Sequence, residues 1–148
     1  MRWYSKNCFY GKDKIDFCWF DKYSFLHLGD LAFFYSIFLL FGLIKNIKMR
    51  WALFLFTIIN TLHIIDEIFN IYTNTSLESI WVPKYLGKAQ RDSDSVQNFS
   101  GDLISGFTGS LIVLLTFYFT LNNKYQPLIV LLTGFFMFCL GIIGWLNG

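Results

Sequence analysis

The side chains that could do chemistry are concentrated in two apolar stretches of the sequence. His63 and Glu67 are four residues apart in the first stretch, and Asn98 and Asp102 are four apart in the second. Residues at this spacing share one face of an α-helix. Carboxylates and imidazoles on a shared face could bind a divalent metal ion and activate water, or act as general acid and base. We therefore predict Glu67, Asp102 and His63 as candidate catalytic residues.

A second group of polar side chains is predicted to bind a ligand at the same site. Its members are His27, Asp30, Asp66, Asp94 and Asn98. Several of these assignments have structural alternatives. Asp94 also fits the capping residue of the helix that follows it. His27 and Asp30 also fit hydrated residues at the membrane interface, because they lie in the opening turns of an apolar helix.

The composition identifies the class of protein that must hold these residues. The chain has 148 residues, of which 55% are apolar and only 15% are charged. Long apolar runs alternate with short charged segments, a pattern typical of multi-pass membrane proteins. We predict an all-α fold, a bundle of four transmembrane helices at about residues 23–44, 51–71, 96–121 and 128–146. Residues 1–148 form one domain, with a polar and aromatic tail at 1–22 and a long polar loop at 72–95.

The predicted surroundings of the chain are a lipid bilayer and not nucleic acid. The net charge of +2 is too small to indicate nucleic-acid binding. The tail and the long loop together carry more Lys and Arg than the two short loops, although the short loops carry them at higher density. On the count we predict cytoplasmic termini, whereas the density favours the opposite orientation.

The second predicted helix carries a polar stripe. The stripe falls within an arc of about 120° on a helical wheel, and its members are Asn60, His63, Asp66, Glu67 and Asn70. Ionisable side chains are costly in lipid, so this stripe should face protein or water. Asp66, Glu67 and Asn70 also fit a simpler reading, in which the helix ends in the headgroup region.

The third predicted helix combines its polar residues with small ones. Gly101, Ser105 and Gly109 repeat every four residues, and Gly106 lies beside them. Small residues at this spacing let another helix approach closely. We expect this face to draw the second helix, with His63, towards the third.

Topology predicts that the polar positions meet. Four spans alternate in direction, so the start of the first, the end of the second and the start of the third lie on the same side of the bilayer. His27, Glu67 and Asp102 lie near these three points. We therefore predict one polar cluster in one leaflet.

Several of these residues resemble a known family. The resemblance is carried by Asp21-Lys22 followed by His27, by Glu67, and by the run from Asp94 to Asp102 with Gly106 and Gly109 after it. In this pattern residues 21–115 resemble the VanZ-like family and related small multi-pass membrane proteins. The family is associated with glycopeptide-antibiotic tolerance, so the resemblance implies a role in the cell envelope and leaves the chemistry open.

Two classes of function remain open from the sequence. In the first, the cluster belongs to a non-catalytic membrane protein and binds a lipid headgroup or a membrane-protein partner. In the second, it is the active site of a small membrane-embedded hydrolase, with a divalent metal ion as candidate cofactor, acting on a lipid or another envelope amphiphile. Proton or ion movement is disfavoured, because the opposite leaflet has few polar residues.

Overall fold

Four long helices make up most of the fold. The computed structural model describes residues 10–11, 18–43, 48–73 and 96–147. The helices are α1 (Lys22–Leu43), α2 (Met49–Thr73), α3 (Val96–Phe119) and α4 (Gln126–Asn147). Each contains a segment of 20 to 22 residues that is long and apolar enough to cross a membrane. The all-α prediction is confirmed, and each helix begins and ends within two residues of its predicted limits.

A short pair of strands precedes α1, where only a tail was predicted. Strands β1 (Tyr10–Gly11) and β2 (Cys18–Phe20) pair in antiparallel fashion. β2 packs against α3, where the carbonyl oxygen of Trp19 occupies the position that a Cβ on Gly101 would need. The described part of the tail therefore folds back onto the helices.

The first turn of α1 is held by reciprocal capping. Oδ1 of Asp21 accepts hydrogen bonds from the backbone N–H groups of Tyr23 (2.8 Å) and Ser24 (3.2 Å). In return, the Asp21 N–H donates to the Ser24 hydroxyl oxygen over 3.2 Å. These bonds satisfy donors at the helix start that have no partner within the helix. They also fix the direction in which α1 leaves β2.

Helix α1 is the centre of the bundle, since it packs against both α3 and α4. Its contact with α4 is close because Gly29 has no side chain. A Cβ at this position would lie 3.0 Å from the Met137 carbonyl oxygen and 3.2 Å from the Gly141 Cα. The α1–α3 contact is similarly close, with the Leu28 carbonyl lying against Gly109. Small residues thus let backbones approach where lipid provides no hydrophobic driving force between helices.

An apolar core fills the half of the bundle away from the polar residues. The buried residues of this core are Ala32, Tyr35, Leu39, Ala52, Val113, Leu114, Phe117, Val130 and Met137. The Tyr35 hydroxyl donates a 2.7 Å hydrogen bond to the Ala52 carbonyl oxygen, which joins α1 to the first turns of α2. The outer faces of the helices carry exposed apolar side chains such as Leu62 and Phe136. These outer faces suit contact with lipid tails.

Candidate functional site

Helix α2 presents its polar stripe to the interior of the bundle. Asn60, His63 and Glu67 are 9%, 7% and 1% exposed. Leu62 and Ile65, on the opposite side of the helix, are both more than half exposed. The spacing of the buried polar residues places them on one face of α2. Because that face is turned towards the bundle interior, all three are buried. Ionisable side chains in this setting are placed against protein and away from lipid tails.

His27 of α1 meets this stripe near the C-terminal end of α2, which is the side of the bundle where α1 begins (the tail side). Its Nε2 lies 3.2 Å from Oε1 of Glu67. The His27 and His63 rings lie side by side, with centroids 4.9 Å apart and planes inclined at 41°. The His27 side chain is 18% exposed, against 1% for Glu67. The cluster is therefore closed around the carboxylate and most open beside His27.

The three side chains have the composition of a metal site. One candidate ligand atom each from His27, His63 and Glu67 lie within 4.8 Å of one another. An ion bound tetrahedrally at about 2.1 Å separates its ligand atoms by about 3.4 Å. To bind an ion in this geometry, the side chains must rotate and bring closer together ligand atoms that are up to 4.8 Å apart. Two imidazoles and one carboxylate suit zinc and similar transition metals, and three protein ligands leave a fourth position open.

The His63 ring packs against the backbone of α3. The Nε2 atom of His63 lies 3.2 Å from the Asp102 carbonyl oxygen. A Cβ on Gly106 would lie 2.6 Å from that same Nε2 and 2.8 Å from Cδ2 of the ring. The ring therefore fits only because position 106 has no side chain.

A second polar network ties α3 to the start of α1. Asp102, predicted as catalytic, accepts a short hydrogen bond on Oδ1 from the Ser24 hydroxyl and a 2.9 Å bond on Oδ2 from the Asn98 side-chain amide. Ser24 is also part of the cap formed with Asp21. Asp21, Ser24, Asn98 and Asp102 are each no more than 2% exposed. This network holds the helices in position, and its carboxylate is occupied by neighbouring donors.

Deeper in the bundle, α2 and α3 are joined by an amide–hydroxyl pair. The Asn60 amide donates to the Ser110 hydroxyl oxygen over 3.0 Å and to the Phe56 carbonyl oxygen over 2.8 Å. Both Asn60 and Ser110 are buried. The pair is one helical turn below His63 and fixes the register of α2 along α3.

Two of the three glycines in the α3 row have neighbours other than α2. We expected the row to draw α2 close, but the α1 backbone covers Gly109 and β2 covers Gly101. Gly106 meets α2, through the His63 ring. Ser105 is buried, with 8% exposure. At Gly101 and Gly109 the closest approach is made by backbone carbonyls of β2 and of α1, whereas α2 reaches Gly106 with the side chain of His63.

The remaining predicted residues divide into two groups. Asp30 on α1 and Asp66 on α2 are partly buried and lie outside the set of three candidate ligands. Asp94 is outside the described residues, so its predicted role stays a prediction. The side chain of Asn70 is likewise outside the described part of the chain.

Two residues of the network, Asp21 and Ser24, were absent from the predicted site. The Asp21-x-x-Ser24 spacing immediately before an apolar run is a recognisable helix-start pattern and could have predicted the cap. The bond from Ser24 to Asp102 joins positions 78 residues apart, and no local pattern could have predicted it.

Comparison with known proteins gives no match to a family model, a curated protein or a solved structure. The resemblance of residues 21–115 to the VanZ-like family therefore stays a prediction.

Proposed function

We propose that this multi-pass membrane protein binds a divalent transition-metal ion through His27, His63 and Glu67. The observation that carries the proposal is the convergence of two imidazoles and one carboxylate from two helices, with their ligand atoms within 4.8 Å of one another. Two neutral imidazoles and a carboxylate carry a single negative charge. A divalent cation therefore binds to a pre-arranged set of donors whose charge is opposite to its own.

The competing interpretation is a packing network in which polar residues only satisfy one another. The 3.2 Å contact between His27 and Glu67 is consistent with that interpretation. It accounts for one of the two histidines. His63 has a separate partner in the Asp102 carbonyl, so packing alone does not require its ring beside that of His27. The shared geometry of all three side chains favours a ligand common to them.

An ion suits the enclosed part of the cluster better than a lipid headgroup does. Glu67, Asn98 and Asp102 are at most 2% exposed. A headgroup or a protein partner reaches this cluster most readily at its open edge, beside His27. With the termini in the cytoplasm, as the count of basic residues favours, this edge belongs to the cytoplasmic leaflet.

A second candidate function is hydrolysis of a lipid or another amphiphile at the bound metal. The observation favouring it is the number of protein ligands, because three ligands leave a coordination position at which a metal ion can activate water. The substrate would approach from the side of His27, the least buried of the three. This candidate requires the metal site, whereas the metal site does not require hydrolysis.

The experiment is metal analysis of the full chain purified in mild detergent, stripped with a chelator and titrated with Zn²⁺. We expect about one ion per chain in the wild type and a large loss of affinity in Glu67→Gln. Asp30→Asn is the matched control, since it makes the same acid-to-amide change on α1 outside the ligand set. Folded wild-type protein that binds no more zinc than Glu67→Gln overturns the proposal and favours the packing network.

A further inference from the structure

The orientation of the His63 ring says which of its nitrogens is available to a metal. The Nε2 and Cδ2 atoms lie against α3, at the place where a Cβ on Gly106 would be. The Nε2 atom is also 3.2 Å from the Asp102 carbonyl oxygen. The Nε2 edge is therefore occupied by the α3 backbone, and Nδ1 is on the other side of the ring.

The partner of Nε2 determines where the proton of the neutral ring sits. A backbone carbonyl only accepts hydrogen bonds, so a bond to the Asp102 oxygen requires a proton on Nε2. A neutral imidazole with its proton on Nε2 has the lone pair on Nδ1. Metal-binding histidines are commonly oriented in this way, with the second nitrogen donating to a carbonyl or carboxylate.

We propose that α3 holds His63 as its Nε2–H form, so that Nδ1 is the metal-binding atom and Asp102 is the positioning residue. This inference rests on the proposed metal site. Asp102 suits the role because its carboxylate is itself fixed, by the Ser24 hydroxyl of α1 and by the Asn98 amide. One residue of α3 thus connects the start of α1 with the orientation of a ring on α2.

Gly106 is the second part of this arrangement. Any side chain at position 106 would meet Nε2 and Cδ2 of the ring and, at 2.9 Å, Cδ2 of Leu31, all of them outer atoms of side chains that can rotate. Gly106→Ala should therefore be accommodated by rotation of His63 away from α3. The rotation breaks the bond to Asp102 and changes the orientation of Nδ1 relative to His27 and Glu67.

The direct test is nitrogen NMR of the full chain labelled with ¹⁵N-histidine in detergent. The chain has 2 histidines, so His27→Gln leaves a single ring and assigns the signals of His63. We expect the His63 proton on Nε2 in the metal-free wild type and the Zn²⁺-induced shift on Nδ1. A proton on Nδ1, or a zinc-induced shift on Nε2, overturns the inference.

The second test compares the zinc affinities of Gly106→Ala and Gly144→Ala. The two changes are matched, since a Cβ on Gly144 would lie 2.6 Å from ring atoms of Phe25, just as one on Gly106 would lie 2.6 Å from His63. We expect a loss of about 10–100-fold for Gly106→Ala, the usual effect of removing an orienting contact, and wild-type affinity for Gly144→Ala. Equal affinities in folded protein overturn the inference.

The two tests separate this inference from the proposed function. A wild type that binds no zinc contradicts the metal site, while the proton position in the metal-free protein still decides whether α3 sets the His63 tautomer. A wild type that binds zinc through Nε2 keeps the metal site and contradicts only the role of Asp102. If Gly106→Ala fails to fold, the NMR measurement on the wild type alone decides the matter.

Discussion

The rings of His27 and His63 lie 4.9 Å apart, although one belongs to α1 and the other to α2. Glu67 stands at the same place, with its Oε1 3.2 Å from the His27 Nε2. The three side chains come together because α1, packed between α3 and α4, also faces the polar stripe of α2 at its tail-side end. The site therefore forms only when the helices pack together, and the predictions below follow from the contacts between the helices.

Zinc should stabilise the folded protein. A ligand that binds only the folded state at a concentration of 100 times its Kd adds about 2.7 kcal/mol to the free energy of unfolding. We expect Zn²⁺ to raise the Tm of the wild type in detergent and to leave that of His27→Gln unchanged. The measurement is a thermal unfolding series with increasing zinc. Asp30→Asn should retain the full increase, and a similar zinc response in His27→Gln would contradict the assignment of His27 as a ligand.

Ser24→Ala should destabilise the bundle more than Ser36→Ala. Both serines are buried on α1. The Ser24 hydroxyl bonds to Asp102 of another helix and accepts from the Asp21 N–H, whereas the Ser36 hydroxyl bonds to the Phe33 carbonyl of its own helix. Loss of the Ser24 hydroxyl leaves a buried carboxylate with one donor fewer, at a cost of about 1–3 kcal/mol.

This comparison is made by unfolding both variants under the same detergent conditions. The free energy of unfolding should fall in the order wild type, Ser36→Ala, Ser24→Ala. An equal loss in the two variants would show that the Ser24–Asp102 bond contributes nothing beyond the burial of a hydroxyl group.

The Asn60–Ser110 pair should show measurable coupling between α2 and α3. The Asn60 amide lies 3.0 Å from the Ser110 hydroxyl oxygen in the interior of the bundle. Hydrogen bonds between membrane helices have coupling energies of about 0.6 kcal/mol, reaching about 1.7 kcal/mol. A double-mutant cycle with Asn60→Leu and Ser110→Ala measures this value. Additive losses of stability would mean that Asn60 and Ser110 are not coupled and that other contacts fix the register of α2.

The sequence predicts the helices well because their signals are local. Long apolar runs define four spans, and the polar stripe of α2 falls on one face by its spacing alone. Alternation of direction across a bilayer then brings His27, Glu67 and Asp102 to the same side. These steps use only periodicity and topology, and neither requires knowledge of side-chain positions.

The partners of individual residues could not be predicted in this way. Gly101 and Gly109 indicate that some backbone approaches α3, but their spacing does not say which one. The structure places the Trp19 and Leu28 carbonyls there. Likewise, the division of the polar residues into a candidate metal site and a network around Asp102 depends on distances of a few ångströms between helices.

Gly109→Ala should be among the most damaging single substitutions in the described part of the bundle. A Cβ at this position would overlap the Leu28 carbonyl oxygen and approach the Leu28 Cα to 3.3 Å. Those are backbone atoms, so α1 as a whole must move away from α3, and the Ser24–Asp102 bond at the tail-side end is strained with it. Overpacking of this kind costs about 1–3 kcal/mol, and more where no side chain can rotate away.

Gly144→Ala is the control for this last prediction, because the added methyl group meets the Phe25 side chain and no backbone atom of α1 is among its nearest contacts. Unfolding of the two variants in detergent should show the larger loss for Gly109→Ala. Cross-linking cysteines introduced at the facing ends of α1 and α3 should then become slower in Gly109→Ala alone. If both variants cross-link at the wild-type rate, α1 does not depend on Gly109 for its approach to α3, and the close backbone contact is not what positions His27 beside Glu67.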